Sequence, residues 1–175
     1  MTERETAIVV RIRVPAAIDR LRRARDRAAR RGVPAHVTIL YPFVAASELT
    51  PAVREQVAAI AGEFRPFEVT FATVGRWPGV VYLEPAPSSR FAALIDRCAA
   101  AFPEHPPYAG TIAEVIPHLT VVEGDDVGVE DIVAAAEAAL PFAARAEGLE
   151  VLVEGDDDRW RGRWRLPFAP APVSD

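Results

Sequence analysis

The chain has 175 residues, half of them hydrophobic, and a formal net charge of −5. This length fits one domain, and the hydrophobic fraction excludes a disordered chain. The acidic charge argues against general binding to long nucleic acid, which depends on the neutralisation of many phosphates.

The first half of the chain predicts strands that alternate with helices. AIVVRIRV is β-branched and alternating, which is typical of a strand. Thr50 and Pro51 suit the N-cap and first position of a helix, because threonine accepts from exposed amides and proline lacks the amide. We predict strands over 7–14, 36–40 and 67–74, helices from Pro15 to Gly32 and over 51–64, and a hairpin partner over 76–85.

The second half repeats this alternation of strands and helices. We predict a strand over 118–122, helices over about 88–102 and 129–140, and a closing hairpin over 149–155 and 159–168. Together these elements predict a mixed α/β (α+β) fold whose sheet is mostly antiparallel, with helices packed outside.

The twenty basic residues are all arginine, and eleven of them lie in 20–31 and 159–165. For both segments we favour a solvated face, and the alternative is a wall that holds a phosphate. In the last strand we predict that Arg163 and Arg165 lie on one face, with Trp160 and Trp164 on the other. On the alternative reading, Arg163 and Arg165 are candidate substrate contacts.

The chain contains an internal repeat. RWPGVVYLEPAP (76–87) and RWRGRWRLPFAP (159–170) are identical at six of twelve aligned positions. We therefore predict a single domain over 1–175, built from two pseudo-symmetric lobes whose units cover about 36–87 and 118–170.

Both repeat units begin with histidine followed two residues later by threonine. HVTIL contains His36 and Thr38, and HLTVV contains His118 and Thr120. Residues i and i+2 of a strand share a face, so each histidine lies beside its threonine. If a pseudo-twofold axis relates the halves, all four side chains line one cleft.

This arrangement suits hydrolysis of a phosphodiester. One histidine can take a proton from the attacking oxygen while the other gives one to the leaving oxygen, because histidine titrates near neutral pH. Threonine hydroxyls can donate to the non-bridging oxygens. The scheme needs no metal or other cofactor, and it predicts a bell-shaped pH profile.

Two simpler interpretations fit the histidines less well. A lone strand histidine is more often structural, but two such matches among three histidines would arise by chance in roughly one case in a hundred. A zinc site is disfavoured because the sequence has no cysteine pair, H-x-x-x-H or E-x-x-H.

The motifs His36-Val37-Thr38-Ile39 and His118-Leu119-Thr120-Val121 resemble those of the two-histidine (2H) phosphoesterases, the 2′-5′ RNA ligase or cyclic phosphodiesterase family. The resemblance implies a bilobal fold with a central groove between two antiparallel sheets. It implies metal-independent action on 2′,3′-cyclic or 2′-5′ phosphodiester bonds. By position, the two histidines become the acid–base pair and the two threonines hold the phosphate.

The expected substrate is a small nucleotide or an RNA end, with Tyr41 and Tyr108 as further candidate contacts that can stack on a base. Core packing is an equal alternative for both tyrosines. Cys98 is the single cysteine and no apolar run approaches 20 residues, so we expect a cytoplasmic protein without a membrane span, acting as a monomer. The alternative function is a non-catalytic module that binds a nucleotide or an RNA end.

Overall fold

A computed structural model describes residues 3–112, 114–124 and 128–170 of the chain. These residues form eight strands and five α-helices. In chain order the elements are β1 (Thr6–Arg11), α1 (Ala16–Arg25), α2 (Arg27–Arg30), β2 (His36–Leu40), α3 (Pro51–Gly62), β3 (Phe67–Trp77), β4 (Val80–Ala86), α4 (Ser89–Ala101), β5 (Leu119–Glu123), α5 (Val129–Glu137), β6 (Phe142–Ala146), β7 (Gly148–Glu154) and β8 (Trp160–Pro167).

The strands form two four-stranded sheets. The first sheet has the order β2-β1-β7-β8 and the second has the order β5-β4-β3-β6. Each pairing between described strands is antiparallel. The predicted fold class, a mixed protein with two mostly antiparallel sheets, is confirmed. Among these described elements, no helix is both long and apolar enough to cross a membrane.

Each sheet takes its strands from both halves of the chain. The hairpin β7–β8 of the second half joins β1 and β2, whereas the hairpin β3–β4 of the first half joins β5. The strands β4 and β8, which the sequence repeat aligns, occupy different positions, since β4 is internal and β8 is an edge. The two H-x-T strands, β2 and β5, are edges of their respective sheets.

One hydrophobic core joins the two sheets and the helices. It is continuous from Val37 on β2 to Leu119 on β5, and both side chains are fully buried. The helix α4 packs against β2, and α1 packs against β5. Because neighbouring residues of a strand point to opposite faces, the burial of Val37 and Leu119 directs the adjacent histidine and threonine side chains away from the core.

The predicted arginine-rich helix is interrupted at Asp26. Its backbone is extended there, with φ −90° and ψ 127°, and its carboxylate accepts from the Ala29 amide at 2.9 Å. A side chain that bonds the amide three residues on is an N-cap, so Asp26 ends α1 and begins α2. The prediction of one continuous helix was wrong because this capping function outweighs the helical pattern around it.

The closing hairpin also differs from the prediction. The register of β7 and β8 shifts between Val151 and Leu152, which pair with Trp164 and Gly162 respectively. Arg163 is therefore the extra residue of a bulge, and the alternation of side chains changes phase there. Trp164 packs against the main core, whereas Trp160 packs against the cluster on the opposite face, so the prediction that they share a face was wrong.

The sequence pattern also missed β6 and the burial of one arginine. β6 (Phe142–Ala146) pairs with β3 at the end of the second sheet, although FAARA has no β-branched residue. Arg22 is only 2% exposed, so α1 does not present a uniformly solvated face.

Candidate functional site

The two H-x-T motifs lie where the edge strands β2 and β5 come into contact. His36 is the first residue of β2, and His118 immediately precedes β5. All four motif side chains are partly buried. The two histidines are near enough for charge on His118 to lower the pKa of His36. The structure therefore brings both motifs to one site.

His36 is held by hydrogen bonds at both ring nitrogens. Its Nδ1 lies 2.7 Å from the Pro34 carbonyl oxygen, and its Nε2 lies 3.1 Å from Thr38 Oγ1. A carbonyl can only accept, so Nδ1 carries the proton in the neutral ring. Nε2 is then the nitrogen that accepts from the Thr38 hydroxyl and is left to exchange a proton.

His118 repeats the first of these contacts. Its Nδ1 lies 2.7 Å from the carbonyl oxygen of Ile116, two residues earlier, as in the first motif. The same tautomer follows, with the proton on Nδ1 and Nε2 as the exchanging nitrogen. The two motifs thus share a local geometry that their sequence spacing encodes.

An aromatic pair surrounds the second histidine. The Trp77 ring lies edge-on to His118 with centroids 4.7 Å apart, and the Tyr82 ring lies 5.6 Å away. Trp77 and Tyr82 stack on each other at 4.0 Å. A Cβ at Gly75 would lie 2.2 Å from the Tyr82 ring, so only glycine at position 75 leaves enough space for the ring.

A buried ion pair links the two motif strands. Arg22 and Asp26 are 2% and 1% exposed, with Nη2 and Oδ2 3.6 Å apart. The Arg22 guanidinium donates to the Thr120 carbonyl at 3.2 Å and to the Pro34 carbonyl at 3.4 Å. Asp26 accepts from the Glu123 amide at 3.1 Å. The Pro34 carbonyl also accepts a hydrogen bond from His36 Nδ1, so this one carbonyl connects Arg22 to the histidine.

Tyr108 lies beside the first motif. Burial raises the pKa of its phenol, and a hydrogen bond with Thr38 opposes the rise. Its backbone is left-handed, with φ 51°, and the following Ala109 has φ 53°. Such conformations cost energy in residues other than glycine, and they concentrate at functional sites. The structure therefore brings Tyr108, a predicted contact, to the His36–Thr38 pair.

Tyr41 is engaged elsewhere. Its hydroxyl donates to Glu5 at 2.6 Å, and its ring packs edge-on against Trp160 at 6.3 Å. Burial, followed by the contact with Glu5, raises the pKa of its phenol. The packing alternative stated for Tyr41 agrees with these contacts, and its role as a substrate contact stays a prediction.

The other two predicted contacts, Arg163 and Arg165, lie on the first sheet. Both line a cavity of about 380 Å³ that also touches Pro34 and Arg11. Arg165 Nε lies 3.8 Å from the Glu150 carboxylate. Pro34 lines this cavity, and its carbonyl oxygen is hydrogen-bonded to the His36 ring. The cavity therefore adjoins the first motif.

The two histidines differ in their electrostatic surroundings. Burial lowers the pKa of His36 to about 4, and the charges of Arg22 and His118 act in the same direction, against the Pro34 hydrogen bond. Burial also lowers the pKa of His118, but the Glu123 carboxylate acts in the opposite direction. Both pKa values therefore lie below the ordinary value of histidine, and the charged neighbours favour the unprotonated form of His36 and the protonated form of His118.

Sequence reasoning missed the residues that hold the histidines. Arg22 and Asp26 are four residues apart within a basic run, where nothing in the pattern distinguishes them from their exposed neighbours. Trp77 was visible only as part of the repeat. In the part of the chain that the structure describes, no group of three or more His, Cys, Asp or Glu side chains is placed to hold a metal ion.

Comparison with known families identifies the class of protein. The family model of the 2′-5′ RNA ligase superfamily matches residues 10–158, which include both H-x-T motifs. The chain belongs to this superfamily, and the resemblance to the 2H phosphoesterases is confirmed. No match was found among curated protein sequences.

Solved structures share the fold. Escherichia coli LigT in complex with 3′-AMP is 16% identical, with a TM-score of 0.59 over 95% of this chain and 99% of that one. The protein TT0787 of Thermus thermophilus is 14% identical, with a TM-score of 0.64 over 95% and 98%. A structure described as a phosphoesterase is 16% identical, with a TM-score of 0.57 over 96% and 99%.

Proposed function

We propose that the protein is a metal-independent phosphodiesterase that hydrolyses, or reversibly ligates, 2′,3′-cyclic or 2′-5′ phosphodiester bonds of RNA ends or small nucleotides. The observation that carries this proposal is the matched geometry of two histidines, each with Nδ1 hydrogen-bonded to a carbonyl two residues earlier. Superfamily membership and the complex of the LigT fold with 3′-AMP support a nucleotide as the substrate.

In the proposed hydrolysis, water attacks phosphorus and one P–O bond breaks. His36 Nε2 takes the proton of the attacking water, and His118 Nε2 gives a proton to the leaving oxygen. After release of the product, solvent restores both protonation states. In ligation the two roles exchange, because the reverse reaction passes through the same transition state.

The difference in pKa supports this assignment of roles. A general base has to be unprotonated at the working pH, and the surroundings of His36 lower its pKa to about 4. A general acid has to be protonated, and Glu123 opposes the lowering of the pKa of His118. A bound phosphodiester carries negative charge, which raises both pKa values towards neutrality.

The threonines and Tyr108 complete the proposed site. Thr38 Oγ1, 3.1 Å from His36 Nε2, is placed to donate to a non-bridging oxygen when phosphate displaces that contact. Thr120 has the corresponding position in the second motif. The Tyr108 hydroxyl, beside Thr38, supplies a further donor to the same side of the phosphate.

The test is turnover of nucleoside 2′,3′-cyclic phosphates in the presence of EDTA, with product identified by chromatography. We expect opening of the ring, and a loss of about 10²–10⁴-fold in kcat/KM in His36→Ala and in His118→Ala. The matched control is His105→Ala, since this third histidine lies outside both motifs with its ring against Phe43 at 6.3 Å.

Near wild-type rates in both histidine variants, on a substrate that the parent protein cleaves, would refute the acid–base assignment. A rise in melting temperature with nucleotide, without any product, would instead support the alternative of a non-catalytic binding module.

A further inference from the structure

The first sheet carries a row of charged side chains that starts at the first catalytic motif. Arg11 on β1 is paired with His36, and Glu150 on β7 is paired with Arg165 on β8. Val9, two residues from Arg11, is paired with both Thr38 and Glu150. Directly opposed residues of antiparallel strands lie on the same face, as do residues i and i+2. His36, Arg11, Glu150 and Arg165 therefore project from one face.

Glu150 holds two arginines in place. It is 5% exposed, and its carboxylate oxygens lie 3.8 Å from Arg11 Nη1 and 3.8 Å from Arg165 Nε. A Cβ on Gly162 would lie 2.5 Å from Glu150 Oε1, so the glycine leaves room for the buried carboxylate. Both separations exceed a hydrogen bond, so charge attraction positions the guanidinium groups, and both arginines line the cavity.

The cavity beside this row is large enough to hold a phosphate group and is lined by positive charge. Its volume is about 380 Å³, and its lining includes Arg11, Arg163, Arg165 and Glu150. Three guanidinium groups against one carboxylate give a local excess of positive charge in a chain whose net charge is −5. Arginine matches phosphate because its planar fork donates two parallel hydrogen bonds.

The position of the row relative to His36 decides which phosphate it can bind. Neighbouring strands are about 5 Å apart, so Arg11 lies one strand from His36 and Arg165 lies three strands away. A phosphate between the two histidines is thus outside the reach of Arg165. A second phosphate of the same ligand, extending across the sheet, is within it.

We propose that Arg11 and Arg165, positioned by Glu150, bind the phosphate next to the scissile one together with Arg163. The preferred substrate is then a nucleotide with at least two phosphates, such as a short RNA end, and a nucleoside cyclic phosphate is a poorer substrate. This inference rests on the proposed function, because it extends the same site.

The strand β8 provides a matched control in Arg161. Its guanidinium donates to Asp157 at 2.9 and 2.6 Å, so it has a carboxylate partner of its own and does not line the cavity. If β8 carries solvated arginines and no phosphate site, substitution of Arg161 and of Arg165 should have the same effect on substrate preference. If the phosphate site exists, only substitution of Arg165 should change that preference.

The experiment compares kcat/KM for three substrates: a nucleoside 2′,3′-cyclic phosphate, the same compound with a 5′-phosphate, and a dinucleotide that ends in the cyclic phosphate. We expect at least one of the two larger substrates to be about tenfold better than the first. Arg11→Met and Arg165→Met should each lower that preference severalfold, and Arg161→Met should preserve it. The side chains of Arg11 and Arg165 are 52% and 76% exposed, so these two variants should fold.

The substrate with the higher kcat/KM identifies the source of the second phosphate. A gain with the 5′-phosphate assigns the site to a terminal phosphate, and a gain confined to the dinucleotide assigns it to an internucleotide phosphate. Equal kcat/KM for all three substrates, or a preference that survives both variants, would overturn the inference.

A binding experiment separates this inference from the proposed function. If no phosphodiester is turned over, the proposed function fails, and calorimetry can still compare a nucleoside 3′,5′-bisphosphate with the 3′-monophosphate. We expect the bisphosphate to bind about tenfold more tightly, and this advantage to disappear in the Arg11→Met/Arg165→Met double variant. Equal affinity of the two ligands for the wild-type protein would refute the existence of a second phosphate site.

Discussion

The regions around His36 and His118 share a local geometry but differ in everything that surrounds it. In both, Nδ1 is 2.7 Å from the carbonyl oxygen two residues earlier. Around His36 the neighbours are polar, namely Thr38, the buried Arg22 and Tyr108. Around His118 they are the aromatic rings of Trp77 and Tyr82. A short motif can therefore set the tautomer twice, while the packed neighbours set two different affinities for a proton.

The largest expected effect distinguishes the two histidines by the leaving group of the substrate. A good leaving group such as p-nitrophenolate needs no proton from a general acid, so His118→Ala should lose much less activity on a nucleoside 3′-(p-nitrophenyl phosphate) than on an ordinary ester. His36→Ala should lose about 10²-fold or more on both. Steady-state rates for the two substrates give the comparison, and equal rescue of both variants would show that the roles are not divided as proposed.

The second effect tests the ion pair that joins the two regions. Arg22→Met should destabilise the protein by about 3 kcal/mol, because it leaves Asp26 as a buried charge without its partner. It should also raise the apparent pKa of the acidic limb of kcat/KM, since the Arg22 charge lowers the pKa of His36. Urea unfolding and a pH–rate profile measure the two.

The control for Arg22 is its neighbour on α1. Arg23 is 74% exposed and pairs with Asp19, so Arg23→Met should change stability by less than about 0.5 kcal/mol and leave the pH profile unchanged. A loss of stability in Arg22→Met with an unshifted acidic limb would restrict Arg22 to a purely structural role.

A smaller effect should be confined to the His118 region. In Gly75→Ala the new Cβ would lie 2.2 Å from the Tyr82 ring, so the ring has to move. Trp77, which stacks on Tyr82 and lies edge-on to His118, should move with it. We expect a severalfold loss in kcat with little change in the acidic limb, which we attribute to His36. Gly62→Ala, with no atom within 4 Å of the added Cβ, is the control and should keep full activity.

The last effect, the pH dependence of stability, concerns folding and not turnover. Folding lowers the pKa of His36 from 6.5 to about 4, so the unfolded chain binds more protons between these values. The free energy of unfolding should therefore fall as the pH is lowered from about 6.5 to 4, and this contribution should not change further below pH 4. His36→Gln should flatten this dependence more than His118→Gln, because Glu123 opposes the shift at His118. Equal slopes in urea titrations of the two variants would contradict the difference between the regions.

The sequence by itself determined the motifs, most of the elements and the family. The H-x-T spacing predicts the shared face because strand periodicity is local, and the strand predicted over 36–40 coincides with β2 (His36–Leu40). The Thr50 N-cap is likewise local, and its hydroxyl accepts from the Val53 amide at 3.3 Å. The domain division and the functional roles of the four motif residues stay predictions.

Only the tertiary structure decided which distant side chains surround each histidine. Arg22 and Asp26 lie in the same arginine-rich sequence as the exposed arginines of α1. They are buried because α1 packs against β5. The bulge at Arg163 and the placement of β8 at a sheet edge likewise depend on pairing with β7. These features come from contacts between segments distant in the sequence, such as that of Arg22 with Thr120, and no local pattern in the sequence encodes them.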